Sequence, residues 1–455
     1  MARSPGDRPN VVVFFTDQQR WDSTGVHGNP LGLTPVFDRM AAQGTHVANA
    51  YTCQPVCMPA RASLQTGRYA TEVGCHTNGC CLRADEPTLG HWFRAAGYRT
   101  AYMGKWHLCD REPVPPEFRQ GYETWLAANV LEFTSDAYDT VLFDGAGSPV
   151  KLPGYRVDAI TDAGIRYLHA HAEGPFFLML SFLEPHHQNH RDEYAAPEGY
   201  RERYQGRWTP PDLEALGGSS AHHLGGYWGC VRRLDEAFGR LLDALRSLGL
   251  GENTIVLYTT DHGSHFKTRN AEYKRSCHDG CSRLPMALTG PGLRGGGQLR
   301  ELVSLVDMPP TLLDAAGLPV PASMQGHSIM PLVRRQPCAW QDDVFIQISE
   351  SQVGRAIRTA RWKYAVHAPD RKGWQDAYAE RYTEQFLYDM EADPYEQRNL
   401  IGLDSLPTVH ADLRARLSRR IRAAEGRDAI IEPAPLVKAG QMYAPYAARD
   451  PLARR

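Results

Sequence analysis

The segment Cys57-Met58-Pro59-Ala60-Arg61, continued by Leu64, Thr66, Gly67 and Arg68, sets a thiol four residues ahead of a permanent positive charge. If a helix starts after Pro59, Arg61 falls back beside the sulfur, where its fixed charge stabilises an anion. Two aspartates follow apolar runs of strand type, Asp17 in Thr16-Asp17-Gln18-Gln19 and Asp261 in Thr260-Asp261-His262-Gly263. Open α/β sheets place their ligands at such carboxyl ends, and hard carboxylate oxygens suit calcium or magnesium. Gln18 adds an amide oxygen. The imidazole of His262 extends the choice to manganese or another softer ion. A further strand-type run ends in Gly104-Lys105-Trp106-His107, where Lys105 and His107 share one side if the chain stays extended. That stretch is not a phosphate-binding loop, since Arg99 stands where the first glycine is required and Trp106 where serine or threonine is.

Two other groups have metal-ligating side chains. His186 and His190 have helical spacing for zinc, but no glutamate of an H-E-x-x-H motif lies between them, and a surface histidine cluster is the commoner arrangement. Cys75, His76, Cys80 and Cys81 match no zinc spacing and read as buried or loop thiols.

The elements that must carry these residues alternate. Val11 to Thr16, Thr100 to Met103, Phe176 to Phe182 and Thr254 to Thr260 read as strands. Helices are expected from Pro35, capped by Thr34 and stopped by Gly44, from Pro87 to Gly97, and from Trp228 to Leu248. This predicts an α/β catalytic domain over 1–335 with a large, mostly parallel sheet sandwiched between helices. Beyond the proline-rich stretch Pro309 to Pro331, the strand-like runs Val344 to Ile348, Gly354 to Thr359 and Trp362 to His367 and the basic helix Thr408 to Glu425 predict a smaller α+β domain over 336–455. It carries an antiparallel sheet and ends in an extended tail from Pro433.

The chain has 455 residues, 42% apolar, with a formal net charge of -2, so composition gives no electrostatic reason for a nucleic-acid or anionic-membrane partner. No apolar run reaches the roughly 20 residues of a membrane helix. The polar start, Met1 to Asn10, leads into an apolar run too short for a signal peptide, which predicts a cytoplasmic, soluble protein. Ten cysteines in such a compartment stay mostly as thiols, with Cys53–Cys57 and Cys277–Cys281 left as possible pairs.

Together with its T-G-R continuation, the C-x-P-x-R segment resembles the signature of the sulfatase family, in the alkaline phosphatase superfamily. The resemblance implies an alkaline-phosphatase-like fold and a formylglycine made from Cys57 by a formylglycine-generating enzyme that reads Pro59 and Arg61. One hydroxyl of its hydrate would attack sulfur and the other would later expel the product. Ala60 stands where the family usually has serine. The implied metal ligands are Asp17, Gln18, Cys57, Asp261 and His262, with calcium first and magnesium or manganese as alternatives. Many members have aspartate in place of Gln18 and asparagine in place of His262.

By the same resemblance Lys105 and Lys274 bind sulfate oxygens, and His107 takes the proton that drives the hemiacetal apart. His186, in Pro185-His186, meets a substrate oxygen or acts as acid to the leaving group, and Asn78 lies near the anion. Around Lys274 the match is looser, with His278 and Asp279 where many relatives have tyrosine and glutamate. Segments from Arg358 to Tyr364 and from Leu387 to Leu400 extend the likeness over nearly the whole chain. The expected reaction is hydrolysis of a sulfate monoester on a small molecule or sugar. The alternatives are a phosphonate monoester or phosphodiester hydrolase of the same superfamily, and an unmodified anion-binding relative without catalysis. Lys105 and His107 favour sulfate by adding positive charge. Trp125, Tyr138, Phe143, Tyr194, Tyr204, Trp208 and Trp228 read equally as substrate-stacking or core aromatics, and the oligomeric state stays open from monomer to tetramer.

Overall fold

The computed structural model describes residues 8–436; the tail expected from Pro433 lies mostly outside them. Five strands run parallel at the centre of an eleven-stranded sheet, in the order Thr254–Thr260, Asn10–Thr16, Phe176–Ser181, Arg99–Lys105, Thr124–Ala128. Antiparallel strands extend it on both sides, among them Ala287–Thr289 next to Thr254–Thr260 and Thr140–Phe143 next to Thr124–Ala128. The sheet is therefore mixed, with the expected parallel order at its centre.

Side chains alternate between the two faces of each strand. Val11, Val13 and Phe15 enter one apolar cluster, with Met58, Leu64 and Phe93. Val12 and Phe14 enter the opposite one, with Phe238 and Leu241 of the helix Ser220–Ser247 and Ile160 of the helix Arg156–Ala170. Both faces are thus covered by helices, as a central parallel sheet requires. No helix among the described residues is long and apolar enough to cross a membrane.

The first helix, Pro35–Gln43, buries Phe37, Met40 and Ala41 and stops at Gly44 as its sequence predicts, but Thr34 does not cap it. The Thr34 hydroxyl donates to Asp38 Oδ1 at 3.3 Å, while Asp235, 0% exposed in the long helix, accepts from the amides of Val36 at 2.9 Å and Phe37 at 2.8 Å. A buried carboxylate distant in sequence thus satisfies the free first-turn N–H groups.

The smaller sheet is antiparallel through Asp343–Ile348, Val353–Thr359, Trp362–Ala368 and Arg381–Asp389, and Ile430–Glu432 closes it in parallel. The helix Pro407–Glu425 covers it with Leu413, Leu417 and Ile421. Polar links tie it to the rest of the chain, among them those of Gln347 and Lys363. The amide of Gln347 donates to the carbonyl of Cys53 at 2.8 Å. Lys363, 0% exposed, pairs with Asp279 and, at 2.6 Å, with Glu396 Oε1. Replacing Lys363 with methionine leaves two buried carboxylates without a counter-charge, and the stability to urea is expected to fall by about 3–5 kcal/mol. A loss below about 1 kcal/mol would show that the pair is not a structural tie.

Candidate active site and metal centre

Register brings the strand ends together. Thr16 lies opposite Thr260, and Ser181 lies opposite both Phe15 and Gly104, so Asp17, Asp261 and Lys105 emerge along one edge of the sheet. Gly104 is required there: its φ is +106°, and a Cβ would stand 1.9 Å from the carbonyl oxygen of Ser181. The helix Cys57–Thr66 points its N-terminus at the same edge, and all ten of its residues are buried. It begins at Cys57 rather than after Pro59, so Pro59 falls in the first turn, where its missing N–H is not needed. Arg61 still shares a face with Cys57, one turn on.

The thiol of Cys57 lies 3.6 Å from Asp17 Oδ1 and 3.2 Å from His262 Nε2. His262 Nε2 is in turn 3.7 Å from Asp17 Oδ1 and 3.6 Å from Asp261 Oδ1. One ligand atom from each of these four buried residues falls within 4.8 Å of the other three. Gln18 stands beside them in left-handed backbone, φ 66°. Its amide nitrogen donates to the Tyr194 hydroxyl at 3.0 Å, and its Oε1 is buried with no hydrogen-bond partner.

These residues fit a divalent cation. Nδ1 of His262 faces the carbonyl of Gly263 at 2.8 Å, which leaves the Nε2 lone pair free for an ion, as metal-bound histidines require. The unpartnered Gln18 oxygen supplies another neutral donor. Burial raises both carboxylates, but Lys105, His186 and Arg61 hold Asp17 well below its usual range, whereas burial and the neighbouring Asp17 push Asp261 up to about 6. A cation would remove that repulsion.

Arg61 does not hydrogen-bond to the thiol. It donates to Asp17 Oδ2 at 2.9 Å and to Ser181 Oγ at 2.8 Å, and its Nε lies 3.3 Å from Asp261 Oδ2, so it aligns the two carboxylates. Lys105 sits 2.9 Å from Asp17 Oδ2 and 2.9 Å from Glu132 Oε1. Lys274 donates to Cys57 Sγ at 2.8 Å and to His186 Nε2 at 3.1 Å, and His186 Nδ1 faces the carbonyl of His187 at 2.6 Å. Burial and Asp17 push the Cys57 thiol up, but Lys274, Lys105 and His262 overcome them and bring it to about 7.

His107 reaches this edge by a different path from the extended chain expected. It is in left-handed backbone, φ 57°, and its amide donates to the carbonyl of Asn129 at 2.7 Å. Its Nδ1 is buried and unpartnered, and burial reinforced by Lys105 lowers its pKa to about 3, so it is a neutral base and does not add the positive charge expected of it. Asn78 is half-buried, and its Oδ1 accepts from the Met58 amide at 3.1 Å, satisfying a first-turn N–H of the helix Cys57–Thr66.

Sequence reasoning missed Glu132 and Ser181. Ser181 carried a signal, as the polar end of an apolar strand; Glu132, in the short helix Leu131–Thr134, carried none. The zinc alternatives do not assemble. His190 is exposed beside Asp136, while His186 is buried, and among the described residues Cys81 groups with Cys109 and Asp110 instead of Cys75 and His76. All ten cysteines are free, so neither Cys53–Cys57 nor Cys277–Cys281 is bonded. Of the aromatic residues left open, Trp125, Tyr194, Tyr204 and Trp228 are core, whereas Tyr138 is 56% exposed.

Residues 9–318 match the sequence model described as Sulfatase, and residues 271–423 match that of the C-terminal region of N-sulphoglucosamine sulphohydrolase. The chain belongs to the sulfatase family. It is a sulfuric ester hydrolase with the alkaline-phosphatase-like fold. Similar proteins include the ulvan-active sulfatase of Formosa agariphila, 31% identical over 91% of this chain and 81% of its own length. A solved protein bound to its substrate D-glucosamine-2-N,6-O-disulfate shares the fold with a TM-score of 0.76, at 24% identity, covering 93% of this chain and 99% of its own. The phosphonate monoester hydrolase of Agrobacterium radiobacter is more distant, with a TM-score of 0.66 at 22% identity over 92% of this chain and 96% of its own.

Exchanging Asp17 or Asp261 for asparagine removes a carboxylate charge from this candidate metal centre. The metal retained per chain after dialysis, read by elemental analysis, is expected to fall at least about tenfold, the smallest loss usual even for outer partners of a metal site. Unchanged metal content in both variants would place the ion elsewhere.

Proposed function

We propose that this sulfatase hydrolyses a sulfate monoester carried by a sugar, with formylglycine formed at Cys57 by a formylglycine-generating enzyme and a divalent cation held by Asp17, Gln18, Asp261 and His262 beside it. The observation that carries this reading is the convergence of the Cys57 sulfur, both aspartates and the imidazole within 4.8 Å, with Lys274 donating to that sulfur. Calcium is the first choice of ion; the imidazole donor keeps manganese open alongside magnesium. When bound, the cation and the hydrated formylglycine supply a nucleophilic hydroxyl of lowered pKa and an anchor for one sulfate oxygen.

The chain's own residues do the rest. Arg61 fixes the two aspartates. Lys105 and Lys274 approach from opposite partners, Glu132 and His186, and place positive charge where sulfate oxygens gain negative charge. With Nδ1 turned to a carbonyl, His186 accepts from Lys274 through Nε2, so the pair shares one proton that moves to the leaving oxygen. His107, uncharged, is the group that takes a proton in the release step.

The sugar is suggested by the company the chain keeps: the relative from Formosa is named for its action on ulvan, and the solved neighbour was captured with a sulfated glucosamine.

Cys57→Ala is expected to abolish turnover of a sulfated sugar while the fold is kept, and mass spectrometry of the wild-type peptide should show formylglycine at position 57. A wild-type peptide holding only thiol, in protein that turns nothing over, would leave an anion-binding relative. Side-by-side assay on sulfate monoester, phosphonate monoester and phosphodiester is expected to rank sulfate first, and the reverse order would overturn the assignment.

A further inference from the structure

Outside the catalytic site, one pair of nucleophilic side chains meets at the surface from two distant segments. The sulfur atoms of Cys81 and Cys109 lie within 4.8 Å of each other, with one oxygen of Asp110 in the same group. Backbone already joins the two segments, since the Leu82 amide donates to the carbonyl of Leu108 at 3.1 Å. Cys81 Sγ reaches that same carbonyl at 3.7 Å. Cys81 is partly exposed and Cys109 is buried beneath it.

A metal fits this group poorly. Asp110 is exposed and its Oδ1 lies 3.4 Å from Arg111 Nε as well as 3.6 Å from Cys109 Sγ, Cys80 Sγ faces Thr77 Oγ1 at 3.3 Å, and among the described residues no fourth ligand joins the group. Two thiols within 4.8 Å of each other, held by a backbone bond beside them, suit a disulfide, which needs side-chain rotation to bring the sulfurs to about 2.05 Å.

We infer that Cys81 and Cys109 form a reversible dithiol–disulfide pair that fastens two catalytic segments to each other. Cys81 lies three residues beyond Asn78, which holds the start of the nucleophile helix, and Cys109 lies two beyond His107. The reaction partner is a low-molecular-weight disulfide such as oxidised glutathione. The Cys81 thiolate attacks one of its sulfurs, forming a mixed disulfide and releasing one glutathione thiolate. The Cys109 thiolate then attacks the Cys81 sulfur and releases the second. Two electrons pass from the cysteines to glutathione, and the two cysteine protons end on the two thiols released.

The test uses the whole enzyme, incubated with oxidised glutathione, its remaining thiols blocked, and the peptides mapped by mass spectrometry. A Cys81–Cys109 linked pair, lighter by two hydrogens, is expected, together with a rise in Tm of about 2–5 °C that dithiothreitol reverses, because the link closes a long loop. Cys81→Ser and Cys109→Ser should each lose both signals; if either fails to fold, the reversible change in the unaltered enzyme decides. Both thiols remaining free, a glutathione adduct that stays on Cys81, a Cys80–Cys81 link, or zinc bound in proportion to this pair would each overturn the proposal.

Discussion

Everything at the catalytic edge depends on keeping Asp17 charged in a place that water does not reach. Its carboxylate is 0% exposed, and an ion so buried persists only when neighbouring charges and hydrogen bonds replace its hydration. Arg61 and Lys105 both contact Oδ2, which leaves Oδ1 turned toward Cys57 and His262. These partners come from one helix, which carries both Cys57 and Arg61, and from two strand ends, at Lys105 and His262. A shift of one residue in the pairing of Asn10–Thr16 with its neighbours would turn the aspartate to the other face. The register of the central sheet is therefore as much a part of the active site as the residues that touch the substrate.

The same constraint gives the site its chemical character. Lys105 is charged because Asp17 and Glu132 outweigh the penalty of burial, and Arg61 bridges the two carboxylates. In the proposed reading a cation beside Asp17 would relieve its repulsion with Asp261, and a sulfate beside Lys105 would meet a positive charge already in place. Charges already fixed in a dry site need no reorganisation as the transition state forms, which is the main way such sites accelerate reactions.

Much of this arrangement is legible in the sequence, and what is missing has a common cause. The strands that end in Asp17 and Asp261 are continuous β-branched and aromatic runs, a local signal, and the Cys57 to Arg68 segment is a local motif. Glu132, Ser181 and the Asp235 cap act through partners from 27 to 199 residues away, and no local pattern encodes such meetings. The pairing of Lys105 with His107 shows the opposite failure. Period-two reasoning put them on one side of a strand, but the strand stops at Lys105, and His107 turns through left-handed backbone that only its tertiary surroundings select.

The smaller sheet gains a reason to exist from the segment that carries Lys274. The carbonyl of Lys274 faces His265 Nε2 at 3.0 Å, and the Arg275 amide donates to the carbonyl of Pro55, two residues before Cys57. Arg275 pairs with Glu350 at the end of a small-sheet strand, and Glu350 also accepts from the Asn78 amide at 2.7 Å. Four residues on, Asp279 is held by Lys363 from the middle of that sheet. The match to the C-terminal sequence model begins at residue 271, just before this strap. A lysine that must meet the Cys57 sulfur to within hydrogen-bond distance cannot sit on a free loop. The second sheet is thus the wall against which Lys274 is braced, rather than an appendage to a finished candidate site.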